Sequence, residues 1–95
     1  MKIRIFKYSK LARFLKVGGI VIYPFIFFAD PDPGRELINH EMIHINQIKQ
    51  LGVVKFYSLY FKEYLHNRVK GMSHNQAYLA ISFEKEAYEN QDKLS

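Results

Sequence analysis

The turn segment DPDPG, residues 30–34, separates a part of the chain that is typical of strands from a part that is typical of helices. Before it, KIRIFKYSKL interleaves β-branched and aromatic residues with basic ones, which favours an exposed strand, although residues 9–16 could instead form a short helix. GGIVIYPFIFF, residues 18–28, predicts a second strand. Pro24 marks an edge position or a bulge in it, because proline cannot donate a ladder hydrogen bond. Together these segments predict a small antiparallel sheet.

The first helix is predicted directly after this turn. Asp32 is a candidate N-cap and Pro33 would take the first helical position. From Arg35 onward, apolar residues recur at helical spacing, and Gly52 supplies a C-terminal stop.

Two further helices are predicted after Gly52. One covers about residues 53–68, and the other begins at Ser73, which forms a capping-box pattern with Gln76, and runs to about Gln91. The expected fold class is therefore α+β, with a small antiparallel β-hairpin followed by three helices. A chain of 95 residues can build one hydrophobic core but not two, so residues 1–95 are predicted to form a single domain.

The basic residues are concentrated at the start of the chain. Residues 1–16 contain no acid and six basic side chains: Lys2, Arg4, Lys7, Lys10, Arg13 and Lys16. This arm could be a solvated strand face, or it could bind an acidic membrane surface or an anionic partner. The second helix, with nine apolar or aromatic residues in VVKFYSLYFKEYL, either packs in the core or contacts a partner or membrane. No motif indicates nucleic-acid binding.

Membrane insertion and secretion are not predicted. The longest apolar run, residues 17–29, is shorter than the roughly 20 residues that a membrane-spanning helix needs. It imitates a secretory signal, but Pro24 and the Gly18–Gly19 pair interrupt a helix, and aspartates follow it. A cytoplasmic location is therefore favoured. The absence of cysteine excludes disulfides and thiolate metal ligands.

Two histidines in the first predicted helix, His40 and His44, could bind a metal ion. Their i, i+4 spacing projects both imidazoles from one helix face, where they can converge on one zinc ion. Glu41 is rotated by about 100° from His40 but is long enough to act as a general base on water at that ion. The alternative is that both histidines are packing or surface residues and that Glu41 is an ordinary exposed glutamate.

A third ligand is expected from the last predicted helix. One helical stripe there combines small or apolar residues with a single carboxylate: Ala77, Ala80, Ile81, Glu84, Ala87 and Tyr88. A carboxylate in such surroundings is costly unless it meets a cation. Glu84 is therefore favoured as the ligand over Glu86, which lies on a different face.

HEMIH, residues 40–44, followed by FEKEAYEN, residues 83–90, resembles the gluzincin metallopeptidases, whose third zinc ligand is a glutamate on a later helix. The CAAX-prenyl-protease and heat-shock-protease type has a Glu-x-x-Ala-Asp pattern there, and Glu84 opens a matching Glu-x-x-Ala. Tyr88 replaces the aspartate that orients a ligand histidine in that family, and its hydroxyl could accept the same kind of hydrogen bond.

In length and element order the chain is also similar to the minigluzincins. This resemblance implies a minimal zincin-like catalytic domain in which His40, His44 and Glu84 bind zinc and Glu41 is the catalytic base. It further implies that a peptide or protein substrate pairs with the strand before the active-site helix, here Ile20 to Phe28.

Three functions compete at this point. The first is a zinc-dependent peptidase, with His74, Tyr78 and Tyr88 as candidates for stabilising the developing oxyanion. The second is a non-catalytic zinc-binding domain that docks a partner protein or a membrane surface. The third is a helical interaction module without metal.

Overall fold

The computed structural model describes residues 2–14 and 18–93, and these form three strands and five helices. The elements are β1 (Arg4–Phe6), α1 (Lys10–Phe14), β2 (Gly19–Ile22), β3 (Phe25–Phe28), α2 (Arg35–Leu51), α3 (Val53–Val69), α4 (His74–Leu79) and α5 (Ser82–Asn90). The predicted α+β class is confirmed. The short helix that residues 9–16 could form is present as α1, and Lys16 lies outside the described residues.

The sheet differs from the predicted two-stranded antiparallel hairpin. Its strand order is β1-β3-β2, with β2 antiparallel and β1 parallel to the central strand β3. The segment predicted as one strand folds back on itself, because Tyr23 and Pro24, joined by a cis peptide bond, form the turn between β2 and β3. Pro24 therefore lies in a hairpin turn, where no ladder hydrogen bond is required of it.

The core lies between the sheet and α2. Strand alternation turns Ile26 and Phe28 inward, and both are fully buried against Ile45 of α2. Phe25 and Phe27 point to the opposite face of the sheet, where they contact Phe6 of β1. The packing of β3 on α2 fixes the position of the helix that carries both histidines.

Helix α2 begins at Arg35, two residues later than the predicted first helical position, Pro33. Its N-cap is Gly34, which makes no side-chain cap, so the prediction that Asp32 is the N-cap was wrong. The carboxylate of Asp30 instead accepts a hydrogen bond from the Asp32 amide, which closes a local turn before the helix. Gly52 ends α2 in a positive-φ conformation and its amide donates to the Ile48 carbonyl, as the sequence indicates.

The last predicted helix is interrupted. Ser73 and Gln76 form the predicted capping box, but α4 stops at Leu79 and a new helix, α5, starts at Ser82. The carboxylate of Glu63 in α3 accepts hydrogen bonds from both the amide and the hydroxyl of Ser82. This long-range cap stabilises a second helix start, and the first turn of α5 contains Glu84.

Helix α3 buries a single face. Phe56 and Asn67 are its buried residues, and the Asn67 side chain donates to the Ala77 carbonyl of α4. Large apolar side chains on another face are exposed: Val54, Phe61, Leu65 and Val69. Core packing therefore accounts for only part of its apolar composition. No helix among the described residues is long and apolar enough to cross a membrane.

Candidate metal centre

The structure brings His40, His44 and Glu84 together in the interior. All three side chains are almost fully buried. The two Nε2 atoms lie 3.2 Å apart, and the carboxylate of Glu84 places one oxygen 2.9 Å from His40 Nε2 and the other 3.1 Å from His44 Nε2. One turn of α2 and the first turn of α5 thus present two nitrogens and a carboxylate to the same point.

Gln47 sets the tautomer of His44. Its amide nitrogen donates to the Phe83 carbonyl and to the Glu86 carboxylate, and both of these groups are acceptors only. The Gln47 carbonyl oxygen must therefore face His44 Nδ1, 2.8 Å away, and accept a hydrogen bond from it. With Nδ1 protonated, Nε2 of His44 faces Glu84, where it can share a proton with the carboxylate or, once that proton is displaced, offer a lone pair to a metal ion.

Gln91 sets the tautomer of His40 in the same way. Its amide nitrogen faces the Glu36 carboxylate, and its carbonyl oxygen lies 2.9 Å from His40 Nδ1. Both histidines therefore hold their Nδ1 protons outward and direct their Nε2 atoms inward, which is the orientation in which Nε2 can bind a metal.

This arrangement fits a zinc ion. Two lone pairs and a carboxylate facing one another have an excess of acceptors, so a proton or a metal cation must lie between them. Zinc with ligands at about 2.0–2.1 Å in tetrahedral geometry requires ligand atoms roughly 3.3 Å apart. The observed separations of 2.9, 3.1 and 3.2 Å are slightly smaller and need only a small expansion. Two imidazoles and one carboxylate are also a ligand set that zinc favours.

The Glu84 carboxylate is held by a third donor, the hydroxyl of Tyr60 on α3. Burial would raise the pKa of Glu84, but hydrogen bonds from His40, His44 and Tyr60 outweigh burial and hold the pKa well below its ordinary value. Burial likewise would lower the pKa of His44, and the hydrogen bond with Glu84 raises it instead. Glu84 is therefore anionic, as a metal ligand must be.

Glu41 lies beside this cluster and is also buried, with 6% of its surface exposed. Burial raises the pKa of its carboxyl group, against the opposing effect of the two neighbouring histidines. Strand β2 approaches it closely: a Cβ atom on Gly19 would lie 3.3 Å from Glu41 Cγ and Oε1. Glycine at this position is what allows the sheet edge to pass next to the carboxylate.

A cavity of about 740 Å³ opens onto these groups. Strand β2 forms one wall, with Gly19 and Val21, and the two histidines with Glu41 and Glu84 form its floor. The opposite wall carries aromatic and polar side chains from α3, α4 and α5: Phe56, Tyr57, Tyr60, His74, Asn75, Tyr78 and Tyr88. The cavity gives a ligand access to the cluster.

The other residues that the sequence suggested for this site make contacts of their own. Glu86, the rejected alternative to Glu84, faces Gln47 instead of the cluster. The Tyr88 hydroxyl was one group that could accept a hydrogen bond from a ligand histidine. Its ring instead packs against His40, with centroids 4.4 Å apart, and Gln91 accepts the hydrogen bond from His40 Nδ1. His74 and Tyr78 line the cavity, and the ring of His74 is hydrogen-bonded to Tyr64.

Three residues that hold the ligands were not identified from the sequence. Gln47 follows His44 by three positions on the same helix, a spacing that brings side chains together and could have indicated it. Tyr60 reaches the cluster from α3 and Gln91 from the end of α5, and no local sequence pattern identifies them.

No family model, curated protein or solved structure matches the chain. The resemblance to gluzincins therefore stays a prediction, and the function is inferred from the geometry of the site.

Proposed function

We propose that the protein is a zinc-dependent peptidase in which His40, His44 and Glu84 bind the metal. The observation that carries this proposal is the pair of inward-facing Nε2 atoms, oriented by two glutamines, next to the carboxylate of Glu84. When bound, zinc would supply a Lewis acid that polarises a carbonyl and lowers the pKa of water.

Glu41 is the proposed general base. Its buried carboxylate lies next to the cluster and faces the cavity, where it can take a proton from water and deliver one to the leaving amine. The raised pKa of Glu41 suits a group that must both accept and release a proton. Gly19 keeps the strand edge close enough to present a peptide to that base.

The edge of the sheet delimits the proposed substrate site. The predicted substrate strand, Ile20 to Phe28, contains β2 and the central strand β3. Because β3 is paired on both sides, β2 is the part of this segment that has a free edge for pairing. The Ala29 amide donates to Gly18, so by antiparallel alternation the groups of Gly19, Val21 and Tyr23 face outward.

Tyr57 closes one end of that edge. Its hydroxyl donates to the Val21 carbonyl and accepts from the Tyr23 amide. An extended peptide can therefore pair with β2 only around Gly19 and the Val21 amide, directly beside Glu41. We infer that substrates end or turn away from β2 within about two residues of the cleaved bond on this side.

Metal analysis of purified protein tests the metal site. We expect about one equivalent of zinc in the native chain and its loss in His44→Ala and Glu84→Gln variants. A zinc content that is the same in the native and variant proteins would contradict the ligand assignment.

Glu41→Gln is expected to keep zinc and to lose peptide hydrolysis; full activity of this variant would contradict the role of Glu41.

A second function has support from α3. Its exposed apolar face of Val54, Phe61, Leu65 and Val69 would suit a zinc-binding domain that docks a partner without catalysis. A zinc-loaded protein that leaves a broad peptide library intact would favour this function over the peptidase.

A further inference from the structure

The N-terminal segment, residues 2–14, exposes large apolar and basic side chains together. Phe14 is 82% exposed and Tyr8 57%, and Ile5, Phe6 and Leu11 are also exposed. The basic residues between them are Lys2, Arg4, Lys7, Lys10 and Arg13, and all five are exposed. Scattered exposed apolar residues are ordinary, but five within ten positions are a concentration that requires an explanation. Strand alternation turns Ile5 and Phe6 to opposite faces of β1, so the exposed apolar side chains are spread around the segment.

The charge of this segment has one sign. The first acid in the chain is Asp30, so residues 2–29 contain no negatively charged side chain to balance the five basic ones of residues 2–14. Beyond Lys16 the chain contains eight basic residues and nine acids, and this nearly neutral surface gives a second copy of the chain little to attract the segment. The charge is complementary to a strongly anionic surface.

The local structure keeps aromatic and cationic groups at the surface. The guanidinium of Arg13 lies over the Tyr8 ring, 4.5 Å from its centroid. Phe6 stacks on Phe27, with centroids 5.2 Å apart, on the face of the sheet that points away from α2. β1 is also an edge strand of the sheet. Side chains with an apolar body and a charged or polar tip favour the boundary between lipid headgroups and acyl chains.

We propose that residues 2–14 attach the protein peripherally to an anionic membrane surface. The apolar side chains project from a strand, a turn and a one-turn helix, so they form an irregular surface and not a groove shaped for a peptide. A lipid headgroup layer accommodates such a surface without shape complementarity, whereas an acidic protein partner needs a matching one. Attachment by this segment is independent of zinc binding and of peptidase activity.

Vesicle binding of a single-tryptophan variant tests this proposal. The chain has no tryptophan, so Phe14→Trp introduces one reporter at an exposed position, and Phe61→Trp places a matched reporter on α3. Each protein is mixed with vesicles of phosphatidylcholine, with or without phosphatidylserine. We expect the emission of Phe14→Trp to shift to shorter wavelength only with phosphatidylserine, and the emission of Phe61→Trp to stay unchanged.

Charge reversal locates the binding surface. Lys7→Glu with Lys10→Glu is expected to lower the binding constant for anionic vesicles, measured by sedimentation, by at least about 30-fold. The control, Lys55→Glu with Lys62→Glu, changes the net charge equally but alters α3, and it is expected to bind nearly as the native chain does.

Three results would overturn the proposal. These are equal binding to neutral and anionic vesicles, no binding to either, and a loss of binding confined to the α3 control. Soluble polyglutamate serves as the probe for an acidic protein partner. If polyglutamate shifts the emission of Phe14→Trp and the vesicles do not, the segment binds acidic protein and not lipid.

Discussion

The orientation of each ligand histidine depends on one glutamine. Gln47 has two acceptors around its amide nitrogen, so its carbonyl oxygen can only face His44. Gln91 does the same for His40. A ring that donates its Nδ1 proton outward has a more basic Nε2 and loses little orientational freedom when a metal binds. We therefore expect the two glutamines to contribute to the metal affinity of the proposed site without touching the metal.

Gln47→Ala is expected to weaken zinc binding by about 10- to 100-fold, because His44 loses the acceptor that fixes its tautomer. The matched control is Gln50→Ala, at an exposed position on the same helix. Competition with a chromophoric chelator measures both affinities. Equal affinities would show that Gln47 has no part in holding His44.

Gly19→Ala is expected to lower the free energy of unfolding by about 1–3 kcal/mol, since its Cβ would lie 3.2 Å from Phe28 and 3.3 Å from Glu41. Gly18→Ala is the control, because its Cβ would meet Leu37 at an ordinary 3.5 Å. Urea denaturation of the two variants measures the difference. Equal stabilities would contradict the close approach of β2 to Glu41.

Two elements position the site from opposite sides. α5 exists as a separate helix because Glu63 of α3 caps Ser82, and its first turn then directs Glu84 at α2. On the other side, β2 forms a wall of the cavity. The hydroxyl of Tyr57 in α3 is hydrogen-bonded to the outward-facing Val21 carbonyl and Tyr23 amide. α3 contains no proposed ligand, yet its side chains are hydrogen-bonded to the elements on both sides of the site, α5 and β2.

Tyr57→Phe should free the Val21 carbonyl and the Tyr23 amide. We expect faster hydrogen exchange of that amide. We also expect about five- to thirtyfold tighter binding of peptides long enough to pair beyond Val21, because each of the two freed groups can form a main-chain hydrogen bond that contributes about 1 kcal/mol. Binding is measured in a Glu41→Gln background, so that the peptides stay intact.

The control for this prediction is Tyr64→Phe, which removes a hydroxyl that contacts His74 instead of β2. If Tyr57→Phe accelerates the Tyr23 amide but leaves the length preference unchanged, Tyr57 does not limit the substrate. If no peptide binds to any variant, the peptidase proposal itself fails.

The whole molecule is small and carries a buried polar cluster in its interior. Residues that would otherwise be apolar core are here His40, Glu41, His44 and Glu84, all buried. A chain of this size has a limited apolar core, so a cluster of acceptors at its centre lowers the stability of the metal-free protein. Metal binding should compensate for that cost.

Zinc is therefore expected to raise the melting temperature. At a free zinc concentration of 100 times the Kd, binding stabilises the fold by about 2.7 kcal/mol, which corresponds to roughly 10–20 °C for a domain of this size. Differential scanning calorimetry with zinc and with a chelator measures the shift. Glu84→Gln should lose most of it, whereas Glu89→Gln, at an exposed position of α5, should retain it. A shift that is the same in all three proteins would indicate zinc binding elsewhere.

The sequence by itself determined the local features. Helical spacing placed His40 and His44 on one face, and the cost of a carboxylate among alanines singled out Glu84 before its neighbours were known. Helix α2 and the capping box of α4 follow from short-range patterns, because their hydrogen bonds join residues three or four apart.

Only the tertiary structure decided the rest, because it depends on contacts between residues that are distant in the chain. The parallel pairing of β1, the break between α4 and α5, and the roles of Gln91, Tyr60 and Tyr57 each require a partner at least 19 positions away. Such contacts leave no periodic pattern in the sequence. Spacing could therefore predict the proposed ligands, whereas Gln91 and Tyr60, which hold two of them, emerged only from the packing of α3 and α5 around α2.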